Sequence, residues 1–255
     1  MREFDLIEWI ARHNLEKPQG LLTGIGDDCA VFDPAFARRL AVTTDSLVED
    51  VHFRRRWTSP ELLGRKALAV NLSDLNAVGA RPHAALLSLC LPGETSDEWI
   101  HRLLKGFLGA SRMWRCPLIG GNLAGASQVQ ITVTAWGWLP RGEAVLRSGG
   151  REGDLLAVAG TLGLARRGLS LLREEDPDLS TVADEEELLQ GRGNTLRGRC
   201  WTAYSRPEPP LQAGPWLQNG GLARCMIDLS DGLCADLGHL LSSSGLSAVL
   251  EERAL

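Results

Sequence analysis

A chain of 255 residues, 44% apolar and 23% charged, has room for one large domain or two ordinary ones and is too apolar to be a disordered chain. Its net charge of −5 argues against a nucleic-acid partner, which would need a clustered basic excess. The N-terminal Met1-Arg2-Glu3-Phe4-Asp5 lacks a signal core, and the apolar-rich run 84–91 is too short to span a bilayer, so no membrane partner and a cytoplasmic location are expected.

Phe4, Ile7, Ile10 and Ala11 repeat at helical spacing and predict a short amphipathic helix. Gly24-Ile25-Gly26-Asp27-Asp28-Cys29-Ala30-Val31 follows, a glycine turn with two adjacent carboxylates. Leu40 to Thr44 is a strand by β-propensity with Asp45 at its end. Ser59 and Pro60 open a helix running to about Val78, and Val70, Asp74 and Val78 share one of its faces. An aspartate between two valines is either partly buried and paired or a ligand facing a cleft. His83 to Leu91 is a strand. Thr95-Ser96-Asp97-Glu98 is a capping box, and the helix beyond carries Trp99, Ile100, Leu103, Leu104, Phe107 and Leu108. Leu118 to Asn122 is a buried strand ending in a glycine turn, and Val129 to Trp138 another strand with Trp136 and Trp138 on one face.

Composition shifts to glycine and charge between Gly142 and Gly153, which sets a domain boundary near residue 142, giving domains 1–142 and 143–255. Strands are expected at 154–160, 223–227 and 246–250, and helices from about Leu162 to Leu172 and after Gly232. The segment 174–198 reads as a surface excursion. Cys29, Cys90, Cys116, Cys200, Cys225 and Cys234 show no C-x-x-C spacing and the histidines no H-E-x-x-H, so buried thiols are expected rather than zinc or disulfides. Neither a Walker A loop nor a G-x-G-x-x-G helix start is present.

Four aspartate motifs carry the chemistry: Gly26-Asp27-Asp28, Thr43-Thr44-Asp45-Ser46, Asn71-Leu72-Ser73-Asp74 and Asp228-Leu229-Ser230-Asp231-Gly232. Each falls at a strand end, a glycine turn or an apolar helix face. Like charges about 4 Å apart repel by about 4 kcal/mol at an effective dielectric of about 20, so acids brought together call for a cation. Oxygen ligands suit Mg²⁺, and several such ions would hold a polyphosphate.

These motifs, in this order, resemble the thiamine-monophosphate kinase family. The resemblance extends through Thr44-Asp45-Ser46-Leu47-Val48 with His52-Phe53, Lys66 to Leu75, Leu118-Ile119-Gly120-Gly121, Arg147-Ser148-Gly149, Gly153-Asp154 and Ile227 to Leu233. It implies a two-domain aminoimidazole ribonucleotide synthetase-like fold, α/β and α+β. In that fold the N-terminal domain dimerises and the second domain closes over ATP. It also implies transfer of the ATP γ-phosphoryl group to thiamine monophosphate, giving thiamine diphosphate. On the matching positions, Asp28, Thr43, Thr44, Asp45, Asp74, Asp228 and Asp231 would hold several Mg²⁺ ions. Gly121, Arg147 and Ser230 would contact the nucleotide and His52 the substrate. No general base is implied, because the acceptor oxygen is already anionic.

Two departures stand out. The family's Gly-Gly-Asp-Thr is Gly120-Gly121-Asn122-Leu123 here, so Asn122 offers a metal an amide oxygen without charge. The family's Gly-Gly-Glu-Asp-Tyr-Glu motif is absent, so the second domain is expected to be cut short and the chain to bind Mg-ATP better than it turns over. The competing readings are a degenerate, non-catalytic Mg-nucleotide binder, a related ATP-dependent synthetase acting on another acceptor, and a metal-dependent phosphohydrolase.

Overall fold

The computed structural model describes residues 9–10, 12–14, 18, 21–23, 31–32, 39–139, 144–181 and 195–251. Most of the expected N-terminal helix and the whole of Gly24–Ala30, with Asp27 and Asp28, lie outside the described residues. Trp9, Ile10, Arg12 and His13 are helical. Two short antiparallel strands, β1 (Leu21–Thr23) and β2 (Val31–Phe32), flank the glycine–aspartate stretch.

A four-stranded mixed sheet follows, built from β3 (Leu40–Val48), β4 (Arg81–Leu91), β5 (Leu118–Gly125) and β6 (Gln130–Trp138) in the order β3-β6-β4-β5. β6 is antiparallel to both neighbours, whereas β4 and β5 are parallel and joined through a helix. Alternation decides the faces. Leu47, Leu87, Leu89, Ile131, Val133 and Ala135 point into the core, while Thr44, Ser46, Thr132, Thr134 and Trp136 point the other way.

Helix α1 (Pro60–Ala77) covers the inner face. Pro60 occupies its first position, and the Ser59 hydroxyl accepts the Leu62 N–H at 3.3 Å, satisfying one of the four free donors at the start. Helix α2 (Asp97–Trp114) packs against α1. Its cap is Ser96 rather than Thr95, so Trp99 stands where a capping box needs Glu or Gln. The two helices meet backbone to backbone: a Cβ on Gly64 would lie 2.1 Å from the Leu103 carbonyl oxygen, and one on Gly106 would lie 1.9 Å from that of Glu61. Arg102 straps the contact through two hydrogen bonds to Glu61, at 2.7 and 2.9 Å.

Several expectations are corrected. β3 runs past Asp45 to Val48, so that aspartate lies within a strand and not at its end. β5 continues through Gly120 and Gly121 instead of turning there; Gly121 is needed because a Cβ would sit 1.8 Å from the Leu87 carbonyl oxygen of β4. Runs 154–160, 223–227 and 246–250 form no strand; the first and last are largely exposed, with Leu155 at 97% and Val249 at 92%, and 223–227 is mostly half-buried. A β-prone run becomes a strand only where a neighbour takes up its N–H and C=O groups. Between 144–150 and 222–228 the described contacts include one backbone bond, Met226 N–H to Leu146 C=O at 3.0 Å, and a bond from the Gly150 N–H to Cys225.

Beyond the sheet, the regular elements among the described residues are helices: α3 (Leu164–Glu175), α4 (Leu196–Ser205), α5 (Ala213–Asn219) and α6 (Leu233–Ser244). Neither α4 nor α5 is evident in the charge- and glycine-rich sequence around them, although Thr195 caps α4 by accepting the Gly198 N–H at 3.1 Å. Leu172, Leu179 and Trp201 form a second, smaller core with Trp57 and Leu62. Among the described residues no helix is long and apolar enough to cross a membrane.

The α1–α2 contact yields a direct test. Gly64→Ala should lower unfolding free energy by about 1–3 kcal/mol through overpacking. Gly109→Ala, on the same helix pair but with nothing within 4 Å of the added Cβ, should leave stability unchanged or raise it. Urea denaturation of the two variants measures the difference.

Candidate active site

Three aspartates distant in sequence meet at the edge of α1. Asp45 comes from β3, Asp74 from the last turn of α1, and Asp228 from the extended segment before α6. Thr43, two residues before Asp45 and on the same face of β3, donates its hydroxyl to Asp74 Oδ2 at 2.6 Å. Asp74 is thus partly buried and hydrogen-bonded.

The electrostatics show what the cluster lacks. Burial pushes the Asp74 carboxyl above its ordinary value, the Thr43 bond opposes this, and the Asp45 charge adds to the rise. Asp228 is raised first by burial and then by Asp74, against a hydrogen bond from Ser73 and the charge of Arg147. Asp45 is raised by burial and by Asp228, with the Ser46 N–H and His52 opposing. Each acid thus raises another, and Arg147 and His52 do not offset the sum. All the donors are oxygens, which fits a hard divalent cation. Among the described residues no three acids, histidines or cysteines converge closely enough to hold such an ion by themselves.

Asp236 shapes the loop that delivers Asp228. Only 2% exposed, it accepts the N–H groups of Asp231 at 3.2 Å and Gly232 at 3.0 Å, the latter at a φ of +112° that favours glycine. Ser230 and Asp231 stand exposed at the tip. The Asp236 signal was present in the sequence, an acid in the first turn of a helix after glycine. His52 Nδ1 accepts the Val48 N–H at 3.0 Å, so in the neutral ring Nε2 carries the proton and is the free donor. Tyr204 of α4 donates its hydroxyl to the His52 carbonyl oxygen at 3.0 Å.

Thr44 turns to the opposite face of the sheet, where its hydroxyl bonds to the Val133 carbonyl at 3.1 Å and to Thr134 at 3.0 Å. Gly121 and Asn122 are not brought to the aspartates at all. They lie on β5, with β6 and β4 between them and β3, about 14 Å away along the sheet. The register sets Asn122 beside Ser88 and Thr132 on the outer face. The arginine run 54–56 is held internally: Arg55 pairs with Glu49 at 2.8 Å and Arg56 with Asp176 at 2.7 Å. Cys90, Cys116, Cys200, Cys225 and Cys234 are free thiols, and burial pushes that of Cys116 up to about 12, far from a reactive thiolate.

Because its carboxyl is raised above 3.8 in the folded state, Asp74 contributes stability that is full below that value and lost as pH rises through the folded value. In chelating buffer at neutral pH, Asp74→Asn should therefore melt at a higher temperature than the parent. The difference should shrink as the pH is lowered towards 4, and Mg²⁺ should stabilise the parent more than the variant. Thermal unfolding at several pH values reads all three.

A family model described as AIR synthase related protein, N-terminal domain, matches residues 26–139. The thiamine-monophosphate kinase of Haemophilus influenzae is 36% identical over 255 residues, covering 100% of this chain and 72% of that protein. That of Bacillus subtilis is 34% identical over 257 residues, covering 100% and 74%. Among solved structures, the thiamine-monophosphate kinase from Stenotrophomonas maltophilia K279a superposes with a TM-score of 0.79 at 36% identity, over 96% of this chain and 73% of that one. The structure of AaThiL complexed with AMPPCP and TMP gives 0.70 at 34%, over 96% and 72%. Escherichia coli HypE, at 19% identity and a TM-score of 0.64, shares the fold. Identity of this extent across the whole chain, together with the shared fold, shows that the chain belongs to the thiamine-monophosphate kinase family.

Proposed function

We propose that the protein transfers the γ-phosphoryl group of ATP to thiamine monophosphate, giving ADP and thiamine diphosphate. The observation that carries this reading is the meeting of Asp45, Asp74 and Asp228 along one edge of α1, the wall of the proposed cleft, in a chain 36% identical to a thiamine-monophosphate kinase. The acceptor is a phosphate oxygen, anionic at neutral pH, so the protein has no proton to remove. What remains is to align two polyanions, which is a matter of charge and position.

Asp45, Asp74, Asp228 and Asp231, with the hydroxyl of Thr43 and with Asp28, are the groups that would hold Mg²⁺, whereas the Thr44 hydroxyl faces the other side of the sheet. Bound there, the ions supply the positive charge that lets nucleotide and acceptor phosphates approach a cluster of carboxylates. Arg147 adds a guanidinium suited to phosphate, next to Asp74 and Asp228. Ser230 offers its hydroxyl to the nucleotide from the loop tip, and His52 presents Nε2–H towards the acceptor. Residues 1–142 and 143–255 act as two domains about this cleft, and the enzyme works in the cytoplasm.

A homodimer completes the reading. Gly121 and Asn122 are too far from Asp45 to serve the same site within one chain. The outer sheet face beside them carries Val42, 60% exposed, opposite Trp136, next to a row of hydroxyls. A second copy seated on that face would bring its β5 to the first copy's β3.

The test is incubation with Mg-ATP and thiamine monophosphate, followed by chromatography. Thiamine diphosphate should appear one-for-one with ADP, and Asp45→Asn should cut the rate by at least about 100-fold. ADP release without thiamine diphosphate would favour a phosphohydrolase, and ATP binding without turnover a non-catalytic nucleotide binder, as the uncharged Asn122 would suit. For the dimer, Asp45→Asn and Asn122→Arg chains, each inactive alone, should regain activity when refolded together, because one of the two shared sites is then intact. No recovery from a mixture shown to contain heterodimers would place both residues in separate sites.

A further inference from the structure

We propose that Lys66 forms an anion subsite for a phosphate group at the His52 end of the cleft. The inference rests on the kinase reading for the identity of the ligand, and on geometry for the site. Lys66, Val70 and Asp74 are spaced i, i+4 and i+8 on α1 and so share one edge of it, about 12 Å from first to last. The acids gather at one end of this edge, and the ammonium stands at the other.

Lys66 is partly buried and, among the described residues, unpaired in charge. Arg55, Arg65, Arg102 and Arg206 are likewise not exposed, and each pairs with a glutamate: Glu49, Glu208, Glu61 and again Glu208. Among the described residues Lys66 has no carboxylate partner. Instead its Nζ lies 3.8 Å from the centroid of the Tyr204 ring. The ring face stabilises the charge but takes none of its three N–H groups. Burial pushes the ammonium down to about 8, and no acid among the described residues holds it up. Burial raises the Tyr204 phenol above its ordinary value, and the Arg173 charge opposes that rise, adding positive potential at the same corner.

Tyr204 also ties this corner to substrate chemistry, because its hydroxyl bonds to the backbone of His52. A phosphate dianion placed against Lys66 would accept the unused N–H groups and supply the missing countercharge. Such a group comes from the acceptor's monophosphate or from the nucleotide, and the Lys66 chemistry suits either.

Titration of inorganic phosphate into the parent, Lys66→Met and Lys66→Arg proteins by calorimetry tests the site. Phosphate should bind the parent, weaken at least tenfold in Lys66→Met and return towards the parent value in Lys66→Arg. The melting temperature of Lys66→Met should hold or rise, since an unpaired ammonium has been removed from a buried position. In turnover, a raised KM for thiamine monophosphate with that for ATP unchanged assigns the phosphate to the acceptor, and the reverse assigns it to the nucleotide. Equal phosphate affinity in parent and Lys66→Met, or none in the parent, overturns the proposal. A lower melting temperature with unchanged affinity would reduce Lys66 to a clamp on Tyr204. Failure of the parent to make thiamine diphosphate would sink the kinase reading while leaving the phosphate titration to decide the subsite.

Discussion

The position of α1 between the sheet and α2 is the constraint on which the cleft depends. Leu68 and Leu72 are completely buried, Leu63 and Leu75 nearly so, and glycine contacts bring the two helices to backbone distance. A helix gripped on so much of its circumference cannot rotate without opening cavities or forcing overlaps. Its remaining edge, Lys66-Val70-Asp74, is therefore presented at a set height and angle. The Thr43–Asp74 bond joins that edge to β3 and keeps the carboxylate beside Asp45.

Charge is distributed along this edge in an unusual way. The carboxylates are supplied by three separate parts of the chain, and burial and mutual repulsion raise all of them. Folding energy from the core, not attraction within the cleft, holds them near one another. A site that is locally unfavourable without its ligand has its binding free energy ready for one of opposite charge. The aspartates call for cations, the Lys66 corner for an anion, and a metal-bound phosphate compound satisfies both kinds of demand.

A joint between the two parts of the chain accounts for the arginine run. Trp57 is buried in the smaller core, and its indole N–H donates to Asp176 at 2.7 Å, beside the Arg56–Asp176 pair. The Leu179 N–H to Arg56 C=O bond closes the same junction at 2.6 Å. These contacts anchor α3 and α4 to the loop after β3. They hold Tyr204 over Lys66 and against His52. A stretch that looks like a solvated basic patch is in fact spent on attaching the second part of the chain to the first.

Local chemistry in the sequence determined the helix that starts at Ser59-Pro60, the four central strands and the aspartate motifs, because caps, alternation and paired acids leave their marks within a few residues. The lone position of Asp74 on an apolar helix edge was legible for the same reason. Sequence could not say that Asp45 lies inside a strand, that Gly120-Gly121 continues β5, or that the apolar runs after residue 154 find no ladder, since strand pairing is settled by distant neighbours. Nor could it assign Tyr204 to Lys66, or Asp236 to the loop it closes. Above all, motif order suggested one site containing both Asp45 and Asn122, and only strand order separates them, with two whole strands between. Motifs record which residues share a chemistry; which of them share a place depends on register and packing across the whole fold.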